Sequence, residues 1–87
     1  MIYIVIWLRV ALDELAMMWM NADATLRAAI TSASHRIDQE LKANPQEVGE
    51  SRPKGRRIHF EQPLGILFEV RQGAVRILHV WDARRKR

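Results

Sequence analysis

Apolar residues along the chain follow two different periods, and the change from one to the other marks its elements. Ile2 to Leu8 is almost wholly apolar, with Ile2, Ile4 and Ile6 alternating against Tyr3, Val5 and Trp7. A β-branched and aromatic run of this kind predicts a strand buried on both faces and central in its sheet. Leu12, Leu15, Ala16 and Trp19 then recur at helical spacing with Asp13 and Glu14 opposite, which predicts a helix from about Arg9 to Asn21. Asn21-Ala22-Asp23 interrupts the pattern, and Asp23 has the chemistry of an N-cap for a second helix. In that helix Leu26, Ile30, Ala33, Ile37 and Leu41 form one stripe, while Arg27, Arg36, Asp38, Glu40 and Lys42 lie off it. Asn44-Pro45 ends it, because a residue before proline is pushed out of the α region. The two segments predict a helical hairpin.

Residues 45–55 read as a loop from their proline, glycine and polar content. Arg56 to Gln62 alternates, Pro63-Leu64-Gly65 turns the chain, and Ile66 to Arg71 and Ala74 to Asp82 are strands around a tight Gln72-Gly73 hairpin. The order β-α-α-β-β-β predicts an α+β fold, with the helical hairpin packed on one face of a mostly antiparallel four-stranded sheet. A two-residue turn at Gln72-Gly73 pairs Val70 with Val75, Glu69 with Arg76, Phe68 with Ile77 and Leu67 with Leu78. A three-residue turn at Gln62-Pro63-Leu64 pairs Ile58 with Phe68 and Arg57 with Glu69. Together they place Ile58, Phe60, Ile66, Phe68, Val70, Val75, Ile77 and also His79 towards the helices. A row Arg57–Glu69–Arg76, with His59 beside it, falls on the opposite face, as a structural cross-strand element or a phosphate-binding platform.

Charge alters the picture more than composition does. The chain has 87 residues, enough for a single domain over 1–87, and 48% of them are apolar. The net charge of +4 is uneven: residues 1–43 carry four basic and five acidic side chains, residues 44–87 ten and five. A basic second half ending in the tail 83–87, in a chain of pI near 10.3, points to phosphate or an acidic partner. Cysteine is absent, which excludes disulfides and thiolate metal sites and suits a reducing cytoplasm. His35, His59 and His79 are too widely spaced for a zinc pattern, so neither metal nor cofactor is expected. The apolar start lacks the flanks of a signal peptide and is far shorter than the roughly 20 residues of a spanning helix, so no membrane association is expected. Met17, Met18 and Met20 around Trp19 cannot all face one way, which leaves some for a partner surface or a homodimer. Trp81 is a rim residue or a stacking platform for a base.

The segments "DELAMMW", "LRAAITSASHRIDQEL", "ANPQEVGE", "RPKGRRIHF" and "GILFEVRQGAVRILHVW", with a closing "RR", occur in an order that resembles the RelE/ParE superfamily of toxins from type II toxin–antitoxin, or plasmid stabilisation, systems. The resemblance covers essentially the whole chain. It implies a microbial-RNase-like fold, growth inhibition, and a cognate acidic antitoxin as partner. It also implies one of two targets: messenger RNA cut in the ribosome, as by RelE-like members, or DNA gyrase poisoned by ParE-like ones.

Metal-free RNA cleavage needs a base for the 2′-hydroxyl, cations for the phosphate and an acid for the leaving oxygen. The resemblance matches Lys54, Arg56 and Arg57 to the cations entering the second strand, and Arg84 and Arg85 to those closing the last. RelE-like members commonly follow that last arginine with a tyrosine or a histidine–tyrosine pair. This sequence does not, and its single tyrosine is Tyr3. His59 is then the candidate acid or base, and His79 reads as a packing residue. The missing tyrosine tilts the expectation towards ParE-like, non-catalytic binding, with an inactive antitoxin-binding member as a further alternative.

Overall fold

The computed structural model describes residues 2–85. Strand β1 (Ile4–Trp7) leads into helices α1 (Arg9–Met20) and α2 (Ala24–Ala43), and β2 (Glu50–Arg52), β3 (Arg56–Glu61), β4 (Leu64–Arg71) and β5 (Ala74–Asp82) follow. They form one sheet in the order β1-β5-β4-β3-β2, antiparallel except where β1 runs parallel to β5. Both helices lie on one face. The α+β architecture is the expected one, but the sheet has five strands rather than four, because part of the polar segment 45–55 pairs with β3 as β2.

The helices start and stop for local reasons. Asp23 caps α2, its Oδ1 accepting from the Leu26 amide at 2.8 Å. Arg27 closes the other half of the hairpin: it donates to the Trp19 and Met20 carbonyls at 2.9 and 3.2 Å, and its guanidinium lies 4.3 Å from the Trp19 ring centroid. The stripe Ile30, Ala33, Ile37 and Leu41 is buried against Leu64, Ile66, Phe68, Val75, Ile77 and Val80 of the sheet. Each of the larger apolar side chains contributes about 1.5–3 kcal/mol by leaving water. Met17 and Met20 are exposed while Met18 packs on the core, so the methionine cluster divides as its helical positions require.

Three expectations about the sheet are corrected. First, β1 is an edge strand: Tyr3, Val5 and Trp7 pack on the core, but Ile2, Ile4 and Ile6 are 83%, 67% and 44% exposed. Helices cover only one face of the sheet, so the alternate isoleucines have no layer above them. Second, the β3–β4 connection is the two-residue turn Gln62-Pro63, with Glu61 opposite Leu64. That moves the register by one, and a one-residue slip turns every side chain over. Arg57 pairs with Phe68 and His59 with Ile66, on the helix side, while Arg56, Ile58 and Phe60 take the open face. Third, the β4–β5 ladder keeps the predicted Val70–Val75, Glu69–Arg76 and Phe68–Ile77 pairs but then shifts register, so that Leu67 faces His79 and Leu78 is extra. The bulge brings His79 out of the core to solvent, with its side chain 52% exposed.

Candidate functional site

The open face of the sheet carries a row of side chains across all five strands: Ile6, Arg76, Glu69, Arg56 and Arg52, from β1 to β2. Glu69 is only 6% exposed although no helix covers it, because its neighbours in the row shield it. Arg76 Nη1 donates to Glu69 Oε1 at 2.8 Å, and Arg56 Nε lies 4.0 Å from Oε2. The cross-strand charged row expected from the sequence is therefore present with Arg56 in place of Arg57.

Towards the other end of the same face, Phe60, Gly65 and Trp81 are opposite one another on β3, β4 and β5. The Trp81 indole lies over Gly65, where an added Cβ would come within 2.5 Å of the ring. Its edge meets Phe60, with ring centroids 6.1 Å apart and planes at 84°. Beyond them opens a cavity of about 690 Å³ lined by these two aromatics, by Met17, Met18, Leu26 and Ile30 of the helices, and by Pro63, Arg84 and Arg85.

Arg84 and Arg85 are held beside this cavity by Asp82. Arg84 makes paired bonds to its two carboxylate oxygens at 3.0 and 2.8 Å, and Arg85 Nε is 3.8 Å away. Hydrogen bonds from Arg84 hold the Asp82 carboxyl below its usual value, against a smaller opposing effect of burial. The lowered value makes the pair a stability contribution that is present above the unfolded value, near 3.9, and is lost as the pH falls through the folded one. Asp82→Asn should therefore be less stable than the parent at pH 7, and the gap should narrow progressively as the pH falls below the unfolded value, measured by urea unfolding at pH 7 and through the acid range. Lys86 and Arg87, the rest of the basic tail, lie outside the described residues.

The other candidates are elsewhere. Lys54 is exposed in the turn Pro53–Gly55, at φ 66°. Arg57 donates to the Val48 and Gly49 carbonyls at 2.8 and 2.9 Å and so fastens the segment before β2. Gly49 is at φ +72°, and a Cβ there would fall 2.1 Å from the Ile58 carbonyl oxygen, so only glycine admits this approach. His59 lies between α2 and β3, its Nε2 at 3.4 Å from Glu61 Oε1 and 3.6 Å from Glu40 Oε1, with Arg36 Nε bound to Glu61 Oε2 at 2.9 Å. Burial works against the Glu61 charge, but the interactions with Arg36, Glu40 and His59 outweigh it and hold the carboxyl below its usual value. Burial, reinforced by the Glu61 carboxylate, pushes Glu40 up.

The structure thus separates the sequence candidates. Arg56 and the Asp82 turn are at opposite ends of β4, whose five steps from Glu69 to Leu64 span about 17 Å. His59 and Arg57 are on the helix side, and Arg56 on the open one. Four further residues escape sequence reasoning: Glu14, Arg36, Glu40 and Glu61. Glu14 reads as solvent-facing, yet its Oε1 accepts the Val80 amide at 3.0 Å, beyond the end of the β1–β5 ladder, and both its oxygens are 3.3 Å from His79 Nδ1. The signal available for such a residue was its position on a helix that packs against a sheet edge.

No protein-family model matches the chain, and no curated protein matches it. Chains of solved structures do, among them the following two. A chain of the chromosomal ParDE TA system from P. aeruginosa superposes with a TM-score of 0.76, covering 93% of this chain and 96% of that one at 17% identity. A chain of the toxin–antitoxin complex RelBE2 from Mycobacterium tuberculosis gives a TM-score of 0.72, covering 93% and 91%, also at 17% identity. Among the described residues no helix is long and apolar enough to cross a membrane. The chain therefore has the fold found in the ParDE and RelBE2 toxin–antitoxin systems, the architecture that the sequence resemblance implied.

Proposed function

We propose that the protein is the single-domain toxin of a type II toxin–antitoxin module, neutralised by a cognate acidic antitoxin, and that it acts in the ParE-like manner, by holding DNA gyrase through surface contacts. The reading rests on a fold shared over 93% of the chain with members of two such systems, together with the whole-chain motif order. The basic second half is the surface that an acidic antitoxin segment would neutralise.

Gyrase is favoured over messenger RNA by the arrangement of the candidate residues. General acid–base cleavage needs the base, the acid and the phosphate-binding cations within hydrogen-bond reach of one substrate. Here His59 is engaged by two carboxylates on the helix side, and the strand positions beside the two groups of cations, Glu69 and Leu64, are about 17 Å apart along β4. By contrast, the arginine row, the Phe60–Trp81 pair and the cavity beside them form a broad surface of the kind that grips a protein.

Expression of the chain alone is expected to arrest growth, and co-expression of a small acidic reading frame beside its gene to relieve the arrest. Purified protein should then inhibit DNA supercoiling by gyrase and leave ribosome-bound messenger RNA intact. Normal growth at high soluble expression in the source organism contradicts the toxin reading. Cleaved messenger RNA with unimpaired supercoiling selects the RelE-like alternative.

A further inference from the structure

The one cluster of mixed nitrogen and oxygen donors among the described residues is Glu40, His59 and Glu61, and it joins α2 to the outer part of β3. Its spacing is informative. A tetrahedral ion with Zn–N and Zn–O bonds of about 2.0–2.1 Å has neighbouring ligand atoms about 3.3 Å apart. His59 Nε2 is already 3.4 Å from Glu61 Oε1 and 3.6 Å from Glu40 Oε1, and all three donor atoms lie within 4.8 Å of one another. Shifts of a few tenths of an ångström on the two histidine edges would bring those pairs to coordination distance.

The surroundings suit an ion as well. Arg36 binds the far oxygen of Glu61, Oε2, at 2.9 Å, and leaves Oε1 turned to His59. This is the orienting contact that outer residues commonly give a ligating carboxylate. Two carboxylates and one guanidinium give the cluster one net negative charge before any ion enters. The ladder between β2 and β3 ends at Ile58, so His59–Glu61 has no ladder partner on that side among the described residues, although Gly49 lies against the His59 Cβ. The side chains of His59, Glu61 and Glu40 are 21%, 22% and 43% exposed, which leaves a path in and a position for water. Residue spacing concealed the set, because Glu40 comes from a helix far upstream and meets His59 only through the fold.

We propose that Glu40 Oε1, His59 Nε2 and Glu61 Oε1 bind a divalent transition-metal ion of the zinc class, with water completing a four-coordinate shell. One imidazole nitrogen with carboxylate oxygens is a donor set suited to zinc. The ion bridges α2 and β3 and so stabilises the folded chain, since an ion bound by the native state and not by the unfolded one raises the unfolding temperature. The site is independent of the gyrase reading and faces away from the arginine row.

The test uses untagged full-length protein, stripped with a chelator and titrated with Zn²⁺ alone in a weakly coordinating buffer. The expected result is one equivalent bound, with a rise in Tm that saturates at that equivalent. Co²⁺ in its place should show the intense visible bands of four-coordinate cobalt. Glu40→Gln, a half-exposed change that keeps the fold, should weaken binding by at least about tenfold, the loss that even an outer partner typically brings. His59→Ala should abolish stoichiometric binding, and His79→Ala should leave it unchanged. The proposal is overturned by wild-type protein that binds no zinc at one equivalent, or by Glu40→Gln binding as tightly as wild type. The trio is then a structural contact between α2 and β3 and nothing more. Because Glu40→Gln, at a side chain 43% exposed, is expected to fold, a failure of His59→Ala to fold does not remove the test.

Discussion

Arg76→Met is expected to cost about 2–3 kcal/mol of stability, more than the removal of any other cation on the open face. The reason is the unequal burial of the two partners. The Glu69 side chain is 8% exposed and that of Arg76 is 45% exposed, so the carboxylate depends on the guanidinium far more than the reverse. Without Arg76, Glu69 is left with Arg56 at 4.0 Å, and that remaining cation keeps the loss below the 3–5 kcal/mol of a buried charge left wholly unpaired. Arg56→Met should cost under about 1 kcal/mol, as for an exposed ion pair. Adding Glu69→Gln to Arg76→Met should return part of the lost stability, because the buried charge then disappears. Urea unfolding of the two single variants and the double variant gives the coupling directly. A double variant less stable than Arg76→Met alone would show that Glu69 is not a buried charge in need of its partner.

The helices and the last hairpin were legible because their signals are local. A period of 3.6 over α2, an aspartate cap at Asp23 and a Gln72-Gly73 turn each need only a few consecutive residues. Gln72 and Gly73 take φ 43° and 82°, the positive values of a type I′ hairpin turn, and the pairs from Val70–Val75 to Phe68–Ile77 follow from that turn. The errors lie where a single residue decides. Counting three residues in the β3–β4 turn instead of two exchanges Arg57 for Arg56 beside Glu69 and sends His59 to the helix side. The extra residue Leu78 does the same for His79. The exposure of β1 was hidden for another reason: an apolar run reports what a strand is made of, not how many layers cover it.

The candidate site was legible to the same degree. Sequence reasoning selected the basic segments and Trp81, but not the Asp82 turn that holds Arg84, nor the carboxylates around His59. Spacing along the chain says little about partners contributed by another element. Arg36 and Glu40 read as a solvated helix face, and they become part of a cluster only because α2 passes over β3.

His59→Ala and reversal of the tail charges are expected to separate the two proposed mechanisms. If the protein holds gyrase by surface contacts, His59→Ala should leave toxicity nearly unchanged, because the imidazole lies on the helix side with its side chain 21% exposed. Arg84→Glu with Arg85→Glu should then weaken inhibition of supercoiling by at least about tenfold, the effect of roughly 1.4 kcal/mol, since like charges set against a partner cost several kcal/mol. The double reversal also sets new carboxylates against Asp82. Arg84→Gln with Arg85→Gln, which removes the charge without that repulsion, should fall between it and the parent. If the protein is instead a nuclease with His59 as acid or base, His59→Ala should reduce cleavage by on the order of 10²–10⁴-fold and abolish toxicity with it. Growth arrest, supercoiling and cleavage of ribosome-bound messenger RNA, measured on the same variants with antitoxin binding as the check on folding, distinguish the outcomes. A folded His59→Ala protein that binds its antitoxin, yet has lost toxicity and RNA cleavage together, would establish the enzyme and refute the gyrase reading.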